Sequence, residues 1–250
     1  MVTWCEKMEQ IGPAPEQLIG QLLSGDRQSG RMAVRRLTAE YGTLANAVND
    51  VLWPALLGIE SIASGEGISV FQHHYALSTL RGMIEQASSG FSRRMARGKT
   101  VMIVSGPDVG NECAGEMLAT LLEADGYQVF FTRGIASSDE VVAEMARLSP
   151  DAVIVFSASA EDLPWIRSLT SRLNDWPNSS RPSVIVGGGI FARVPGLAQE
   201  IGVDTVADDP VAVGNLLPTA ISESSCQSGV VGRLDGKLRS SVGHDTPKAA

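Results

Sequence analysis

Residues 100–126, TVMIVSGPDVGNECAGEMLATLLEADG, decide the fold of the C-terminal half of the chain. Residues 101–104 are apolar and mostly β-branched, which predicts a buried strand. A turn follows that is rich in residues favouring tight conformations: Gly106, Pro107, Asp108 and Gly110. A helix is predicted to begin near Asn111 or Glu112 and to end at Gly126. This strand, loop and helix form the first unit of an open parallel sheet, in which ligands bind at the carboxyl ends of the strands.

Strands and helices alternate through the rest of this half. Short apolar runs predict four further strands, at residues 128–132, 152–156, 184–186 and 203–207. Helical periodicity lies between and after them, at about 139–148, 163–173, 194–201 and 210–221. Residues 100–221 are therefore predicted to be an α/β domain with a five-stranded parallel sheet of the flavodoxin-like, Rossmann-like type.

The first half of the chain is predicted to be helical. Four amphipathic segments with short connections occupy residues 15–90 and predict a four-helix bundle. The fourth helix begins with a capping box from Ser69 to Gln72. Its apolar stripe is predicted to contain Phe71, His74, Leu77, Leu80 and Ile84. Pro54 lies inside the third helical segment and predicts a kink or a break there.

Three segments are predicted to lie outside the two folded units. Residues 1–14 are predicted to be a loose lead-in, and residues 91–99 a basic linker between bundle and sheet. Residues 222–250 are polar and rich in glycine and serine, which predicts a disordered tail.

Composition excludes several classes of function. A net charge of −8 argues against a broad nucleic-acid interface. The three cysteines are far apart, so neither a disulfide framework nor a zinc site is indicated. No signal-peptide core or membrane-length apolar run is found, which predicts a soluble, cytoplasmic protein. The sequence contains no nucleophile–base pattern, dinucleotide fingerprint or P-loop, so we expect a protein that is not itself an enzyme.

A helical bundle followed by a five-stranded α/β domain resembles the cobalamin-binding module of corrinoid methyl carriers, methionine synthase and CarH-type photoreceptors. The resemblance covers residues of about 15–220. The family's D/E-x-H-x-x-G loop falls on residues 110–115, of which the candidate contacts are Gly110, Asn111, Glu112, Cys113 and Gly115. Its S-x-L element falls on Ser157-Ala158-Ser159, and its G-G element on Gly187-Gly188, which Gly189 extends.

The departures from this pattern limit which ligands the loop could hold and how. Glu112 replaces the histidine that ligates cobalt from below, and Gly110 replaces the acidic residue that supports it. The bundle Trp of the photoreceptors is missing, and their Glu-His pair becomes His73-His74. No histidine occurs in residues 99–221, so an axial imidazole from the loop is excluded. A cobalamin with its own base or water on cobalt, or a metal-free bilin, would need no such ligand.

The layout of the chain and the altered bundle motif are similar to those of the photocobilins, which pair cobalamin with biliverdin, sometimes in a short chain. The resemblance implies a light-sensing regulatory protein that binds cobalamin (adenosylcobalamin), biliverdin or both between bundle and α/β domain. His73 and His74 are then the candidate contacts from the bundle, with His74 as the candidate axial ligand to cobalt. Ligand photochemistry would move the bundle and alter contact with a protein partner or a second copy of the chain.

Plainer explanations exist for several of these residues. A carboxylate such as Glu112 is stabilised at the start of a helix by the macrodipole alone. Cys113 is either a small buried side chain or a thiol that attaches a bilin or ligates a metal. The glycines 187–189 form either a flexible turn or a backbone approach to a nucleotide tail or a flat macrocycle. The linker arginines are either solvated or bind propionates: Arg93, Arg94 and Arg97.

Two alternative functions remain open from the sequence. One is a corrinoid methyl carrier for a partner methyltransferase, which the missing loop histidine disfavours. The other is a haem-binding redox sensor on the same scaffold, with His73 or His74 as the axial ligand.

Overall fold

The structure is a computed structural model, and it describes residues 13–65, 67–133, 137–157, 160–177, 181–203 and 205–222. Its C-terminal half is built on a parallel sheet of five strands, which are β1 (Thr100–Ser105), β2 (Gln128–Thr132), β3 (Ala152–Phe156), β4 (Ser183–Gly187) and β5 (Thr205–Ala207). β1 and β3 are almost completely buried because helices cover both faces of the sheet, as their continuous apolar sequences predict. The predicted α/β class with a five-stranded parallel sheet is confirmed.

The strand order is β2-β1-β3-β4-β5. Ile103 of β1 is opposite Phe131 of β2 on one side and Ile154 of β3 on the other. The chain winds in one direction from β1 to β2 and in the other from β3 onward. The topological switch point therefore lies between β1 and β3, and their carboxyl ends are the expected position of a ligand.

Helices connect the strands and cover the sheet. They are α6 (Val109–Ala124), α7 (Ser138–Leu148), α8 (Leu163–Asn174), α9 (Gly189–Arg193), α10 (Leu197–Glu200) and α11, which comprises residues 210–222. α6 begins earlier than predicted because Asp108 is its N-cap and accepts a hydrogen bond from the Gly110 N–H at 3.0 Å. The helix predicted at 194–201 is shorter than expected and corresponds to α10 alone, while α9 is an additional short helix that ends before residue 194.

The described part of the N-terminal half is helical. Its helices are α1 (Pro13–Ser24), α2 (Arg27–Glu40), α3 (Leu44–Ala47), α4 (Trp53–Ser64) and α5 (Val70–Ser88). α5 packs against α1, α2 and α4 on one side and against α6 of the α/β domain on the other. The predicted capping box is present, with Ser69 and Gln72 bonded to each other's backbone. The grouping of these helices as an independent four-helix bundle stays a prediction.

The irregularity predicted at Pro54 is a π-helical turn. Residues Val48–Leu52 form this turn, and α4 follows it directly, with Pro54 in its first two positions. Proline has no N–H for the carbonyl four residues earlier, and its ring clashes with that carbonyl. The wider π turn accommodates both effects without ending the helical segment.

Two layers of apolar side chains enclose the sheet. One layer is continuous from the N-terminal helices through α6 to one face of the sheet and to α11. The other layer packs α7 and α8 against the opposite face. The N-terminal helices therefore share their core with the α/β domain. Among the described residues, no helix is both long and apolar enough to cross a membrane.

Candidate functional site

The switch point brings together small and polar residues at the ends of β1 and β3. Ser105 is the last residue of β1 and is fully buried, and its Oγ has no hydrogen-bond partner among the described residues. Gly106 follows it and donates its N–H to the Phe156 carbonyl at 3.0 Å. Ser157, also fully buried, follows β3. A buried hydroxyl without a partner is costly, so Ser105 marks a place where a ligand can supply a hydrogen bond.

Asp162 lies beside these strand ends, and the sequence patterns do not single it out. It ends the 3₁₀ turn Ala160–Asp162 and is 5% exposed. Its Oδ2 accepts a hydrogen bond of 2.5 Å from Ser157 Oγ. Both Asp162 Oδ2 and Asn111 Nδ2 lie within contact distance of the position that a β-carbon on Gly106 would occupy. The carboxylate therefore fills space between the ends of β1 and β3.

The glycines after β4 make close backbone contacts at the same edge. Gly188 has φ of 105°, and a β-carbon there would clash with the Ser157 carbonyl. A β-carbon on Gly187 would lie 2.8 Å from the Ala207 carbonyl oxygen. Gly189 begins α9. These glycines allow the ends of β3, β4 and β5 to lie close together, which is a structural reason for their presence besides any contact with a ligand.

The first turn of α6 is covered by the N-terminal helices. Glu60 of α4 packs on Gly110, where a β-carbon would lie 2.7 Å from Glu60 Oε1. The same oxygen is 2.9 Å from Nε2 of His73 in α5. Burial raises the pKa of Glu60, an effect that its hydrogen bond to His73 opposes and the nearby charge of Asp108 reinforces. His73 therefore faces the start of α6 through Glu60.

Two more predicted contacts in this turn are bonded to α5. Glu112 accepts a hydrogen bond of 3.1 Å from Arg81. Cys113 is fully buried and donates its S–H to the Leu77 carbonyl at 3.4 Å. Burial raises the pKa of the Cys113 thiol to about 12. A neutral, enclosed thiol is a poor nucleophile, so the geometry gives no support to bilin attachment at Cys113.

His74 has a different position from the one predicted. The predicted apolar stripe is wrong at its start, because Phe71 is 79% exposed and His74 is also exposed. Its later members, Leu77, Leu80 and Ile84, are buried as predicted. His73 is in phase with that stripe and is partly buried. The role of His74 as an axial ligand to cobalt stays a prediction.

An aromatic contact joins the N-terminal helices to the strand ends. Trp53, the first residue of α4, meets Phe156 at the end of β3 with a centroid distance of 6.2 Å and an interplanar angle of 85°. Phe156 is almost fully buried, and Trp53 is partly buried. This edge-to-face geometry is a favourable one, so α4 lies directly against β3 at the switch point.

The linker arginines are at the opposite edge of the sheet. Arg94 pairs with Asp125 at 2.6 Å, and Arg97 pairs with the same carboxylate at 2.7 Å. Asp125 is the C-cap of α6, so it lies sixteen residues and more than four helical turns from Val109, the first residue of that helix. These arginines therefore do not supply cations for a ligand at the carboxyl ends of the strands.

The structure brings most of the predicted contact residues to the carboxyl ends of the strands. Among them, Gly115 of α6 packs against Phe131 and Ser105. Ser159 lies outside the described residues. Glu60, Arg81 and Asp162 belong to the site but were missed, because no local pattern marks them. Among the described residues, no group of three or more His, Cys, Asp or Glu side chains could hold a metal ion.

Residues 98–217 match the family model described as the B12 binding domain. This match covers just under half of the chain and nearly all of its α/β half. The match includes β1, β3 and the switch point between them. No curated protein matches the chain.

Solved structures of corrinoid proteins are similar to the chain as a whole. The monomethylamine corrinoid protein of Methanosarcina barkeri matches with a TM-score of 0.61 at 15% identity, over 86% of this chain and 96% of that chain. A cobalamin-binding protein from Desulfitobacterium hafniense DCB-2 has a TM-score of 0.43 at 14% identity, over 82% and 97%. The methanol:cobalamin methyltransferase complex of Methanosarcina barkeri has a TM-score of 0.43 at 15% identity, over 88% and 85%. The first match shows a shared fold that extends beyond the α/β half into the N-terminal helices.

The residues present fit a corrinoid in one respect and not in another. The unpartnered Ser105 hydroxyl and the close glycine backbone at the strand ends suit the rim or tail of a large ligand. The first turn of α6 contains no imidazole, and its Glu112 is bonded to Arg81. The site therefore fits a corrinoid held by its periphery, and the α/β domain supplies no imidazole to cobalt.

Proposed function

We propose that this chain binds a cobalamin-type corrinoid at the carboxyl ends of β1 and β3, with the N-terminal helices as a four-helix cap. The observation that supports this is the match of residues 98–217 to the B12 binding domain, centred on a switch point that contains the unpartnered Ser105 hydroxyl. Ser105, Ser157 and the backbone of residues 187–189 would hold the corrinoid periphery. In this proposal the chain has no catalytic activity of its own.

Residues 98–217 contain no histidine, so in this proposal the α/β domain would hold the corrinoid without an imidazole on cobalt. His73 is the better placed of the two neighbouring histidines to approach the ligand from the cap. Its Nε2 is bonded to Glu60, and metal-bound histidines are commonly oriented in this way by a carboxylate. When bound, an alkylcobalamin supplies a cobalt–carbon bond that light or a methyl acceptor can break.

Two uses of the bound corrinoid follow, each favoured by one observation. A corrinoid carrier for a partner methyltransferase is favoured by the fold shared with the monomethylamine corrinoid protein. A light sensor that binds adenosylcobalamin is favoured by the absent loop histidine and by His73 on the cap side. In the second case, a light-driven change of the bound ligand would move the cap and change contact with a protein partner or a second copy of the chain.

The binding proposal is tested with purified protein and four ligands: hydroxocobalamin, adenosylcobalamin, biliverdin and haemin. We expect each cobalamin to co-elute with the protein in gel filtration and to change its absorption spectrum. The His73→Ala variant should alter the spectrum of bound hydroxocobalamin more than His74→Ala does. Failure of every ligand to co-elute would refute the proposal, whereas biliverdin co-elution would support the photocobilin-type prediction.

The two uses are separated by two assays on the cobalamin-loaded protein. Methyl transfer from methylcobalamin to a thiol or tetrahydrofolate acceptor, with a partner methyltransferase, supports the carrier. A change in elution volume after illumination of the adenosylcobalamin complex, absent from the dark control, supports the sensor.

A further inference from the structure

We infer that Glu60 and Asp162 make this site selective for tetrapyrroles whose rim groups are amides, and that they exclude tetrapyrroles bearing propionate carboxylates, such as biliverdin and haem. The inference rests on the proposed function, because it requires a tetrapyrrole at the switch point beneath the N-terminal helices. It goes further by naming the residues that choose between ligand classes.

The N-terminus of α6 is the natural anion site of this fold, since unpaired N–H groups and the helix dipole attract negative charge. Here the protein's own carboxylates occupy it. Asp108 accepts a hydrogen bond from the Gly110 N–H at 3.0 Å. Glu60 Oε1 lies against Gly110, held there by His73 at 2.9 Å. A propionate from a ligand would therefore meet negative charge where the helix would otherwise attract it.

Asp162 places a further carboxylate between the ends of β1 and β3. Its Oδ2 lies within contact distance of the place that a β-carbon on Gly106 would occupy. Asp162 is only 5% exposed, so water screens its charge poorly. Its hydrogen bond from Ser157 occupies one oxygen and leaves acceptor capacity on the carboxylate. The N–H groups of a primary amide can donate to such a carboxylate, while a ligand carboxylate is repelled.

The described arginines nearby do not cancel the negative charge of these carboxylates. Arg81 is the guanidinium at the first turn of α6, and it is bonded to Glu112. Arg133, which follows β2, is bonded at 2.7 Å to Glu116, one turn further along α6. At the other end of α6, Arg94 and Arg97 pair with Asp125, and Arg93 pairs with Glu123. Corrinoids bear amides around the ring and a cationic cobalt, so they match this acidic surface, whereas bilins and haem carry two propionates.

The test is a set of absorbance titrations at pH 8 with cyanocobalamin, dicyanocobinamide, biliverdin and haemin. The proteins are wild type, Glu60→Gln, Asp162→Asn and the double variant, with Glu144→Gln as a control at an exposed position of α7. Both site changes keep the shape of the side chain and remove its charge, and circular dichroism checks that each variant is folded. Cobinamide lacks the nucleotide tail, so it reports on the ring amides alone.

We expect wild type to bind both corrinoids at least about tenfold more tightly than biliverdin or haemin, since one like-charge contact in a partly buried site costs about that factor or more. Each site variant should tighten biliverdin and haemin binding by about tenfold and change corrinoid binding much less. The control should match wild type. Equal wild-type affinity for biliverdin and cyanocobalamin, or an unchanged affinity ratio in both site variants, overturns the inference alone. Failure of wild type to bind any of the four ligands overturns the proposed function, and the inference with it.

Discussion

Arg81 of α5 donates a hydrogen bond of 3.1 Å to Glu112 in the first turn of α6. The pair joins the N-terminal helices to the loop in which corrinoid carriers are expected to place a histidine. Its side chains are 31% and 19% exposed, so solvent screens the pair less than it screens a surface ion pair. The contact therefore both fixes the cap on α6 and determines the direction of the Glu112 carboxylate.

We predict a measurable coupling between these two residues. In a double-mutant cycle with Arg81→Met and Glu112→Gln, the coupling free energy from urea unfolding should be about 1 kcal/mol, because each single change leaves a partly buried charge without its partner. The exposed pair Arg147–Glu144, in which the side chains are 64% and 43% exposed, should show a smaller coupling. Equal coupling in the two pairs would mean that the Arg81–Glu112 contact is no stronger than a surface pair.

A second prediction compares a glycine that has no room for a β-carbon with one that has room for it. Gly188 has φ of 105°, and a β-carbon would clash with the Ser157 carbonyl, so Gly188→Ala should lower the free energy of unfolding by at least about 2 kcal/mol. Gly82 lies inside α5, and no atom lies within 4 Å of where its β-carbon would be. Gly82→Ala should therefore raise the free energy of unfolding by about 0.5–1 kcal/mol. Urea unfolding measures both. A Gly188→Ala protein as stable as wild type would contradict the close approach of the β3 and β4 ends.

The strands were predictable because burial of both sheet faces requires continuous apolar segments, and residues 152–156 form β3 as predicted. The position of His73 was not predictable to the same degree. The face of α5 that packs is determined by contact with α6, and the apolar but exposed Phe71 put the start of the predicted stripe on the wrong side of the helix. Glu60 and Asp162 were missed for a related reason. Each reaches the site through tertiary packing, and nothing in the neighbouring sequence marks either residue.

A third prediction concerns the reactivity of Cys113. In a Cys5→Ser, Cys226→Ser variant, Cys113 is the remaining thiol. A pKa of about 12 in place of 9.0 leaves roughly 1,000-fold less thiolate at pH 8, so a maleimide should react far more slowly with the folded variant than with the urea-unfolded variant. Mass spectrometry of the labelled protein measures the two rates. Similar rates in the folded and unfolded states would show that the thiol is accessible and ionised.

The same pKa shift predicts a pH dependence of stability. Below pH 9 the Cys113 thiol is protonated in both the folded and the unfolded chain, so it adds no pH dependence. Between pH 9 and about 12 the unfolded thiol loses its proton first, so stability falls as the pH rises, by at most about 1.4 kcal/mol per pH unit. Cys113→Ala should show a shallower fall over this window in urea unfolding. Parallel curves for wild type and variant would contradict the raised pKa.

The contact between Trp53 and Phe156 gives the last prediction, because it links the cap directly to the switch point. The rings meet edge to face at 6.2 Å, so a double-mutant cycle with Trp53→Leu and Phe156→Leu should give a coupling of about 0.5–1.5 kcal/mol in urea unfolding. Trp53→Leu should also loosen the cap over β3. Hydrogen exchange of the β3 amides should then become faster than in wild type, while exchange in α8, on the opposite face of the sheet, stays unchanged. Equal acceleration in β3 and α8 would indicate global destabilisation, and no coupling between the rings would mean that α4 and β3 are held together by other contacts.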